Sequence, residues 1–337
     1  MKKQLHFVFR KPNAGNYSIE NIYNAVYEEL LDNEDSPFVI SKTVLTHTYD
    51  FKAFFKAFFG FLFFKKRIVH ITGGNAYMAF SYPFMTRIVT IHDIYHFHNM
   101  KGIKGKLYNL CYVYLPLKIS HKIIVVSENT KQDILDNFNI NSSKIQVLDN
   151  PLVISKDQVS MDKGRSILRS NPLHILQIGD KPLKNYKRLL EATKNMNVFY
   201  NFVHANPKNI NALISEFKME EKAKVHVAIS NDELYKLYNE NDVLFFASEA
   251  EGFGLPILEA QLFDMPVITS NIPPMNLVGE GTILVDPLSV DSIAEGFEKL
   301  YDTDLMNTNS VLSKKNVSKY NISTITENYI KFYKSLI

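Results

Sequence analysis

Short apolar runs alternate with helical patterns along the chain, and this alternation limits the possible folds more than any other feature. Six runs in the first half have the length and composition of buried parallel strands, and they lie at residues 4–10, 38–45, 67–72, 87–92, 122–127 and 144–149. Helical patterns separate them, near residues 18–32, 50–64, 103–119 and 128–137. Such alternation predicts a parallel sheet with helices on both faces.

A second series of the same kind begins after a polar, proline-bearing stretch at residues 150–171. Its strands are predicted at residues 173–179, 199–205, 224–229, 242–247, 266–270 and 282–285. A chain of 337 residues is also too long for one ordinary hydrophobic core. We therefore predict an α/β protein with two doubly wound, Rossmann-like domains, residues 1–165 and 166–319, that face each other across a cleft.

The composition is that of a folded, soluble protein, with 46% hydrophobic and 22% charged residues. A formal net charge of +3 gives no reason to expect a nucleic-acid partner. The single cysteine, Cys111, excludes an internal disulfide and fits a reducing compartment. No apolar run reaches about 18 residues, so no transmembrane helix is expected. These features predict a cytoplasmic protein.

The segment after the predicted strand 242–247 is the most informative about function. Residues 247–260 read Ala-Ser-Glu-Ala-Glu-Gly-Phe-Gly-Leu-Pro-Ile-Leu-Glu-Ala, which is typical of a strand-to-helix turn with proline at the helix start. Gly252 and Gly254 let a ligand approach the backbone, and free N–H groups at the start of a helix attract phosphate. The turn therefore predicts a phosphate-binding site.

Two carboxylates separated by seven residues flank this turn. Glu251 lies in its mouth, and Glu259 lies about one turn inside the helix. Each can accept hydrogen bonds from hydroxyls of a ligand whose phosphate lies between them, and a sugar and a ribose joined by a diphosphate would satisfy that arrangement. The alternative is a structural turn with a solvated Glu251 and a Glu259 that is paired on the helix face.

The block from Glu251 to Ala260 resembles the Glu-x7-Glu signature of the retaining glycosyltransferases of family 4. The resemblance extends over most of the chain, and Ile124–Leu135 is similar to the family's final N-domain strand and the helix after it. It implies the GT-B architecture, with a terminal helix at 320–337 that crosses back to the first domain. It also implies a hexosyltransferase that moves a sugar from a nucleotide diphosphate sugar to a hydroxyl of a glycan acceptor, often lipid-linked, in surface polysaccharide or glycoconjugate biosynthesis.

The resemblance also implies a role for each residue of the motif. Glu251 would hold hydroxyls of the transferred sugar, and Glu259 would hold the nucleotide ribose. Sugar and phosphate would also meet the backbone of the residues between them, Gly252, Phe253, Gly254 and Leu255. The implied reaction is a front-face displacement in which the leaving phosphate oxygen helps to deprotonate the acceptor hydroxyl. It needs no metal ion and no other cofactor.

The predicted strand end and turn at Gln177–Asn185 add two lysines to this region. Without a metal ion, a departing diphosphate requires basic side chains that balance its charge. Lys184 matches the position of a lysine in the family, and it is expected to contact phosphate. Position 180 is aspartate where the family commonly has arginine, and Lys181 is expected to replace that arginine one residue later. A solvated turn is the alternative for both lysines.

Two further loops are expected to line the cleft. His92 follows an apolar strand and matches the family's histidine beside the donor sugar and the acceptor, and Asp93 could orient its imidazole or cap the next segment. Gly15 resembles the glycine of the family's flexible acceptor-side loop, although the usual Gly-Gly pair is absent, and it is included among the donor-binding residues. The loops at 11–20 and 70–74 lack the spaced glycines of a dinucleotide fingerprint, so no nicotinamide or flavin cofactor is expected.

Residues 51–66 contain eight of the twenty-four phenylalanines of the chain. As a helix, this segment would have Lys52 and Lys56 on one side and a wide aromatic face on the other. It is too short and too charged to span a bilayer, but its composition is typical of an interfacial helix. Peripheral docking on an anionic membrane, helped by Lys65 and Lys66, and ordinary packing on the sheet both remain open.

Two other functions remain possible at this stage. A nucleotide-sugar epimerase can have the same architecture, and it would isomerise the donor instead of transferring its sugar. A catalytically silent subunit would only bind a nucleotide sugar or a partner transferase, although the presence of both glutamates and Lys184 argues against this. The donor sugar, the base and the acceptor are not identified by the sequence.

Overall fold

The chain divides into two compact units. Unit 1 holds Met1–Val153 and Asn321–Ile337, and unit 2 holds Ile154–Tyr320. The computed structural model describes residues 2–10, 18–34, 36–46, 50–60, 67–94, 97, 102–154, 171–204 and 206–337. The domain boundary predicted between residues 165 and 166 lies outside these described residues.

Unit 1 is built on one parallel sheet. Its six strands are β1 (Lys3–Phe9), β2 (Phe38–Val44), β3 (Arg67–Ile71), β4 (Thr86–Ile91), β5 (Lys122–Val125) and β6 (Ile145–Val147). Their order across the sheet is β2-β1-β3-β4-β5-β6, and every neighbouring pair is parallel. The central strands are buried almost throughout because helices cover both faces, whereas the edge strand β2 is mostly exposed.

The described helices of unit 1 follow the strands in the predicted order. They are α1 (Ser18–Asp32), α2 (Phe51–Gly60), α3 (Gly102–Tyr108), α4 (Leu115–Ile119), α5 (Glu128–Asn137) and, at the end of the chain, α13 (Ile322–Lys334). A π-helical turn, Asn109–Tyr114, joins α3 to α4. Short 3-10 segments lie at Ala76–Ser81 and Ser142–Lys144. Ser127 caps α5, since its hydroxyl accepts a hydrogen bond from the N–H of Thr130 at 3.2 Å.

The last helix, α13, packs against α1 and closes the core of unit 1. Its Tyr333 hydroxyl lies 2.7 Å from Nδ1 of the fully buried His70 on β3, and Nε2 of the same ring lies 2.7 Å from the Thr90 hydroxyl on β4. Tyr329 of α13 makes an edge-on ring contact with Tyr23 of α1. The terminal helix therefore belongs to unit 1 although it follows unit 2 in the sequence.

Unit 2 repeats the same plan. Its strands are β7 (Leu173–Ile178), β8 (Val198–Val203), β9 (Ala223–His226), β10 (Val243–Phe246), β11 (Val267–Ser270) and β12 (Ile283–Val285). Its described helices are α6 (Tyr186–Thr193), α7 (Lys208–Glu216), α8 (Asn231–Glu240), α9 (Leu255–Leu262), α10 (Met275–Val278), α11 (Val290–Glu298) and α12 (Thr303–Ser318). The order β12-β11-β10-β7-β8-β9 makes β7 and β10 neighbours.

The prediction of two Rossmann-like α/β units is confirmed. All twelve predicted strands are present, and no strand end differs from its predicted position by more than three residues. The predicted helix at 103–119 is interrupted by the π-helical turn at Asn109–Tyr114. The predicted helix at 50–64 covers Phe51–Gly60, and residues 61–66 lie outside the described part of the chain. Among the described residues, no helix combines the length and the hydrophobicity needed to cross a membrane.

Candidate functional site

Two loops of unit 2 meet at the carboxyl ends of the neighbouring strands β7 and β10, where doubly wound sheets bind ligands. The N–H of Glu249 donates to the carbonyl of Leu183 at 2.8 Å. The Asn185 amide donates to the carbonyls of Ala247 (3.0 Å) and Pro287 (2.6 Å). Asn185 has a left-handed φ of 63°, a conformation that asparagine tolerates better than most residues. These bonds fix the loop after β7 against the loop after β10.

Lys184 and Glu251 form an ion pair across these loops. The Nζ atom of Lys184 lies 2.5 Å from Oε1 of Glu251, and the two side chains are only 18% and 14% exposed. The same ammonium group lies 4.6 Å from the centre of the Phe246 ring. Two residues that the sequence analysis proposed independently, 67 positions apart, are therefore in direct contact.

Gly179 determines where the Lys184 side chain runs. Its φ is 104°, and a Cβ atom at this position would lie 2.8 Å from Cε of Lys184. A side chain at position 179 would therefore strain the backbone and displace the lysine. Lys181 is exposed at the start of the following 3-10 turn, and its carbonyl accepts the N–H of Lys184 at 2.8 Å. Asp180 accepts the N–H of Asn206 at 2.9 Å, so it fixes the loop after β8.

Gly254 opens the helix α9 in a conformation that suits glycine. Its φ is 107°, and a Cβ atom there would lie 3.2 Å from Cδ1 of Ile257. The carbonyl of Gly254 accepts the N–H of Ile257 at 3.0 Å, and Pro256 occupies the first turn of the helix, where its missing N–H is not needed. The Phe253 side chain is buried, with its ring 5.9 Å from that of Tyr320. Leu255 is half-buried at the first helical position.

Glu259 is held by a tyrosine that the sequence analysis did not single out. The Tyr238 hydroxyl on α8 donates to Oε2 of Glu259 at 2.7 Å. Burial raises the pKa of Glu259, and the hydrogen bond from Tyr238 opposes this rise. Burial, followed by the nearby Glu259 charge, raises the pKa of Tyr238 well above its usual value. Ser230 and Glu233 form a capping box at the start of α8, but that local pattern does not indicate which side chain reaches Glu259.

In unit 1, His92 lies just beyond the carboxyl end of β4. Its Nε2 atom is buried and has no hydrogen-bond partner among the described residues. Burial lowers the pKa of His92 to about 4, the charge of Asp93 opposes this shift, and Arg10 reinforces it. The imidazole is therefore neutral at physiological pH. Its ring makes an edge-on contact with Tyr23 at 5.8 Å.

The sequence analysis also missed an ion pair after β1. Arg10 binds the carboxylate of Glu20 through Nε and Nη2, and Glu20 is only 5% exposed. A Cβ atom at Gly73, the glycine after β3, would lie 3.6 Å from Cδ of Arg10. The carboxyl-end edge of this sheet thus has a fixed guanidinium in addition to His92. Gly15 lies outside the described residues.

Solved structures with the same architecture define the fold class. A glycosyltransferase from Rickettsia africae is 20% identical, with a TM-score of 0.72 over 99% of this chain and 98% of that chain. Anabaena Alr3699/HepE in complex with UDP and glucose is 13% identical, with a TM-score of 0.74 over 99% and 100% of the two chains. At these identities the likeness concerns the fold, which is the GT-B fold of two Rossmann-like units.

Sequence comparison gives a family match for most of unit 2. Residues 163–318 match the family described as glycosyl transferases group 1. The O-antigen chain mannosyltransferase RfbU of Salmonella typhimurium is 25% identical over 224 residues, which are 64% of this chain and 61% of that protein. The O-antigen chain mannosyltransferase B of Escherichia coli is 32% identical over 108 residues, 31% of this chain and 28% of that protein. The chain thus aligns with less than two thirds of either relative.

Proposed function

We propose that this protein is a retaining, metal-independent glycosyltransferase that moves a sugar from a nucleotide diphosphate sugar to a hydroxyl of a glycan acceptor. The observation that carries the proposal is the contact between Lys184 and Glu251 at the carboxyl ends of β7 and β10. It puts a cation suited to a diphosphate beside a carboxylate suited to sugar hydroxyls. The group 1 family match covers the segment that contains both residues.

The donor would occupy both loops of unit 2. Lys184, helped by the exposed Lys181, would balance the charge that develops on the leaving diphosphate. Glu251 would accept hydrogen bonds from hydroxyls of the transferred sugar, and Glu259 would accept them from the ribose. The backbone of Gly252, Phe253, Gly254 and Leu255 would contact the sugar and the phosphates. The neutral His92 of unit 1 is kept as a proposed contact of the acceptor.

The reaction would proceed on one face of the sugar ring. The bond between the anomeric carbon and the phosphate oxygen breaks, and its electron pair leaves with the nucleoside diphosphate. The acceptor oxygen forms the new bond on the same face, and its proton passes to the leaving phosphate oxygen. Lys184 contributes by holding that oxygen's negative charge, so no metal ion is required for this step. Configuration at the anomeric carbon is retained.

The named relatives suggest which substrates to try first. Both are described as O-antigen chain mannosyltransferases, and the Anabaena structure was solved with UDP and glucose. We propose nucleotide-activated mannose as the first donor and a lipid-linked oligosaccharide as the first acceptor, in the synthesis of a surface polysaccharide on the cytoplasmic side of the membrane. A thermal-shift screen against GDP- and UDP-sugars would identify the donor, since a ligand at a hundred times its Kd stabilises by about 2.7 kcal/mol.

The decisive experiment compares Glu251→Gln with Glu249→Gln. Glu249 lies in the same loop as Glu251 and pairs with Arg188 of α6 at 2.5 Å, but its side chain is 40% exposed, so it is a matched control. We expect sugar transfer to fall by about a hundredfold or more in Glu251→Gln and to stay near the wild-type rate in Glu249→Gln. EDTA should leave the wild type active. Wild-type transfer in Glu251→Gln would contradict the proposal.

The product of the reaction separates the alternatives. Transfer of labelled sugar to the acceptor, with the same anomeric configuration as the donor, is the expected result. Isomerised donor without transfer would indicate an epimerase. Donor binding with neither product, across the screened acceptors, would indicate a binding subunit. Loss of activity in EDTA that a divalent cation restores would contradict metal independence.

A further inference from the structure

An exposed apolar surface on unit 1 is not explained by the donor site. On α2, Ala53, Phe54 and Ala57 pack toward the core of the unit. Phe55 and Phe59 point outward, and they are 53% and 61% exposed. The two outward rings stack on each other at 6.4 Å. Helix α2 is therefore partly a core helix and partly an apolar surface.

The outward side of α2 is basic as well as apolar. Lys52 and Lys56 are exposed on the same side of the helix as Phe55 and Phe59, because residues three and four apart share a helix face. The sequence analysis had expected the lysines and the aromatic face on opposite sides, and this expectation was wrong for these two phenylalanines. The interleaved pattern is typical of a helix that lies at a membrane interface.

A second apolar stripe lies on the helical stretch that begins with α3. Ile103, Leu107 and Leu110 are 87%, 60% and 44% exposed. Their spacing of four and then three residues puts them on one helix face. Lys106 is exposed beside this stripe. Side chains this exposed contribute little to the core of unit 1.

The buried Tyr77 contacts one residue close in sequence to each stripe. The Tyr77 hydroxyl accepts the N–H of Asp50, the residue before α2, at 2.9 Å. Its ring lies 5.8 Å from that of Tyr112, in the π-helical turn after α3. The 3-10 segment Ala76–Ser81 thus contacts both α2 and the π-helical turn. We call Phe55, Phe59, Ile103, Leu107 and Leu110 with Lys52, Lys56 and Lys106 the basic apolar face.

The charge of this part of the chain identifies the partner. Residues 51–119 contain eight lysines and two arginines but a single carboxylate, Asp93, whereas the whole chain has a net charge of only +3. A second copy of the chain would bring the same lysines against each other, which disfavours a symmetric dimer. An anionic lipid surface matches both the apolar side chains and the lysines.

We propose that α2 and the stretch Gly102–Tyr114 together dock unit 1 on an anionic membrane. The apolar side chains of both stripes enter the interface between headgroups and acyl chains, and the lysines contact lipid phosphates. Two stripes give the docked unit a defined orientation, which one helix alone would not. The proposal extends the proposed function, since a docked enzyme would meet a lipid-linked acceptor, but binding to lipid requires no sugar transfer.

Vesicle co-sedimentation without donor or acceptor tests the proposal. We expect the full chain to pellet with phosphatidylcholine vesicles that contain phosphatidylglycerol, to bind less as salt rises, and to stay in solution with phosphatidylcholine alone. Phe55→Ser with Phe59→Ser, and Ile103→Ser with Leu107→Ser, should each weaken binding by about tenfold or more. Lys52→Gln with Lys56→Gln should weaken it by about fivefold for each lysine at low salt.

Matched variants in unit 2 control for nonspecific effects. Leu277→Ser with Leu288→Ser removes two leucines that are 64% and 63% exposed, and it should leave vesicle binding unchanged. Circular dichroism should show wild-type unfolding for all variants, since only exposed side chains change. The proposal is wrong if the wild type stays in solution with anionic vesicles, or if the Ile103 and Leu107 variant binds like the wild type. It is also wrong if sedimentation velocity shows a dimer that Phe55→Ser with Phe59→Ser dissociates.

Discussion

At the scale of single residues, the ion pair of Lys184 and Glu251 has a consequence for nucleotide binding. Lys184 would leave Glu251 to contact a bound diphosphate. A nucleoside diphosphate has no sugar for Glu251 to bind in exchange. Breaking the ion pair therefore opposes binding of the nucleoside diphosphate alone. Glu251→Gln should therefore bind the nucleoside diphosphate up to about fivefold more tightly than the wild type, since a partly exposed pair contributes about 1 kcal/mol. Lys184→Met should bind it about tenfold or more weakly.

Isothermal titration with UDP and GDP measures both variants, and Glu249→Gln is again the control. Transfer activity and nucleotide affinity should move in opposite directions in Glu251→Gln. Weaker nucleotide binding in both Glu251→Gln and Lys184→Met would show that the two side chains bind the nucleotide together, and it would contradict this prediction.

The bond from Tyr238 to Glu259 predicts a pH dependence. Burial raises the folded-state pKa of Glu259, so the stability that its protonated form contributes is present at low pH and is lost as the pH rises through that pKa. An ionised carboxylate accepts hydrogen bonds from ribose hydroxyls more strongly than a protonated one, so nucleotide affinity should fall when the pH drops through the same pKa. Tyr238→Phe removes a bond that lowers this pKa, and the fall should begin at a higher pH.

Nucleotide titrations from neutral to acidic pH check this prediction. Tyr235→Phe is a suitable control because Tyr235 lies on the same helix and its pKa is raised by burial and by the nearby Glu259 charge, whereas the hydrogen bond to Glu259 comes from Tyr238. Identical pH profiles for the wild type and Tyr238→Phe would mean that Glu259 does not titrate in the nucleotide site.

At the scale of elements, α13 stabilises unit 1 through a buried polar contact. Tyr333→Phe leaves Nδ1 of the fully buried His70 without the Tyr333 hydroxyl, so the free energy of unfolding should fall by about 1–3 kcal/mol. Burial lowers the pKa of His70 to about 3. The folded-state pKa of His70 is therefore below its unfolded-state pKa near 6.5. The stability that the neutral imidazole contributes is present above pH 6.5 and is lost as the pH falls toward the folded-state pKa.

Urea denaturation measures the loss, and Tyr301→Phe is the control because Tyr301 is 62% exposed. The wild type should also become less stable as the pH falls below about 6.5. A surface substitution changes the free energy of unfolding by less than about 0.5 kcal/mol. A change that small in Tyr333→Phe would show that α13 does not depend on this contact.

The strands were predictable because parallel strands that are buried on both faces appear in the sequence as continuous apolar runs. The run predicted at 173–179, for example, is the strand Leu173–Ile178. The π-helical turn at Asn109–Tyr114 was not predicted, since nothing in its composition distinguishes it from an α-helix. The split of α2 into a core side and an exposed side was also missed, because phenylalanine occurs on both sides and periodicity cannot separate them.

The local part of the candidate site was predictable, and its long-range part was not. The turn that contains Gly254 and the position of Glu259 inside α9 follow from the spacing within one strand–turn–helix segment. The contact of Lys184 with Glu251 depends on the order of strands in the sheet, which makes β7 and β10 neighbours. The bond from Tyr238 depends in the same way on how α8 lies against α9, which no local pattern specifies.

At the scale of the whole molecule, the two proposed ligands are assigned to different units, and each unit has its own sheet and core. Nucleotide should therefore slow amide hydrogen exchange in the loops at 179–185 and 248–255 of unit 2, where ordering by the ligand restricts local opening. Helix α2 of unit 1 should be unaffected by nucleotide. Anionic vesicles should give the reverse pattern, with slower exchange in α2 and α3.

Hydrogen exchange followed by mass spectrometry measures all of these segments in one experiment. The control is Lys184→Met, in which the effect of nucleotide on the two loops should weaken while the effect of vesicles on α2 stays the same. The contrary outcome is slower exchange of α2 with nucleotide and no change in either loop of unit 2. That result would assign the nucleotide to unit 1, and it would remove the basis for treating Lys184, Glu251 and Glu259 as donor-binding residues.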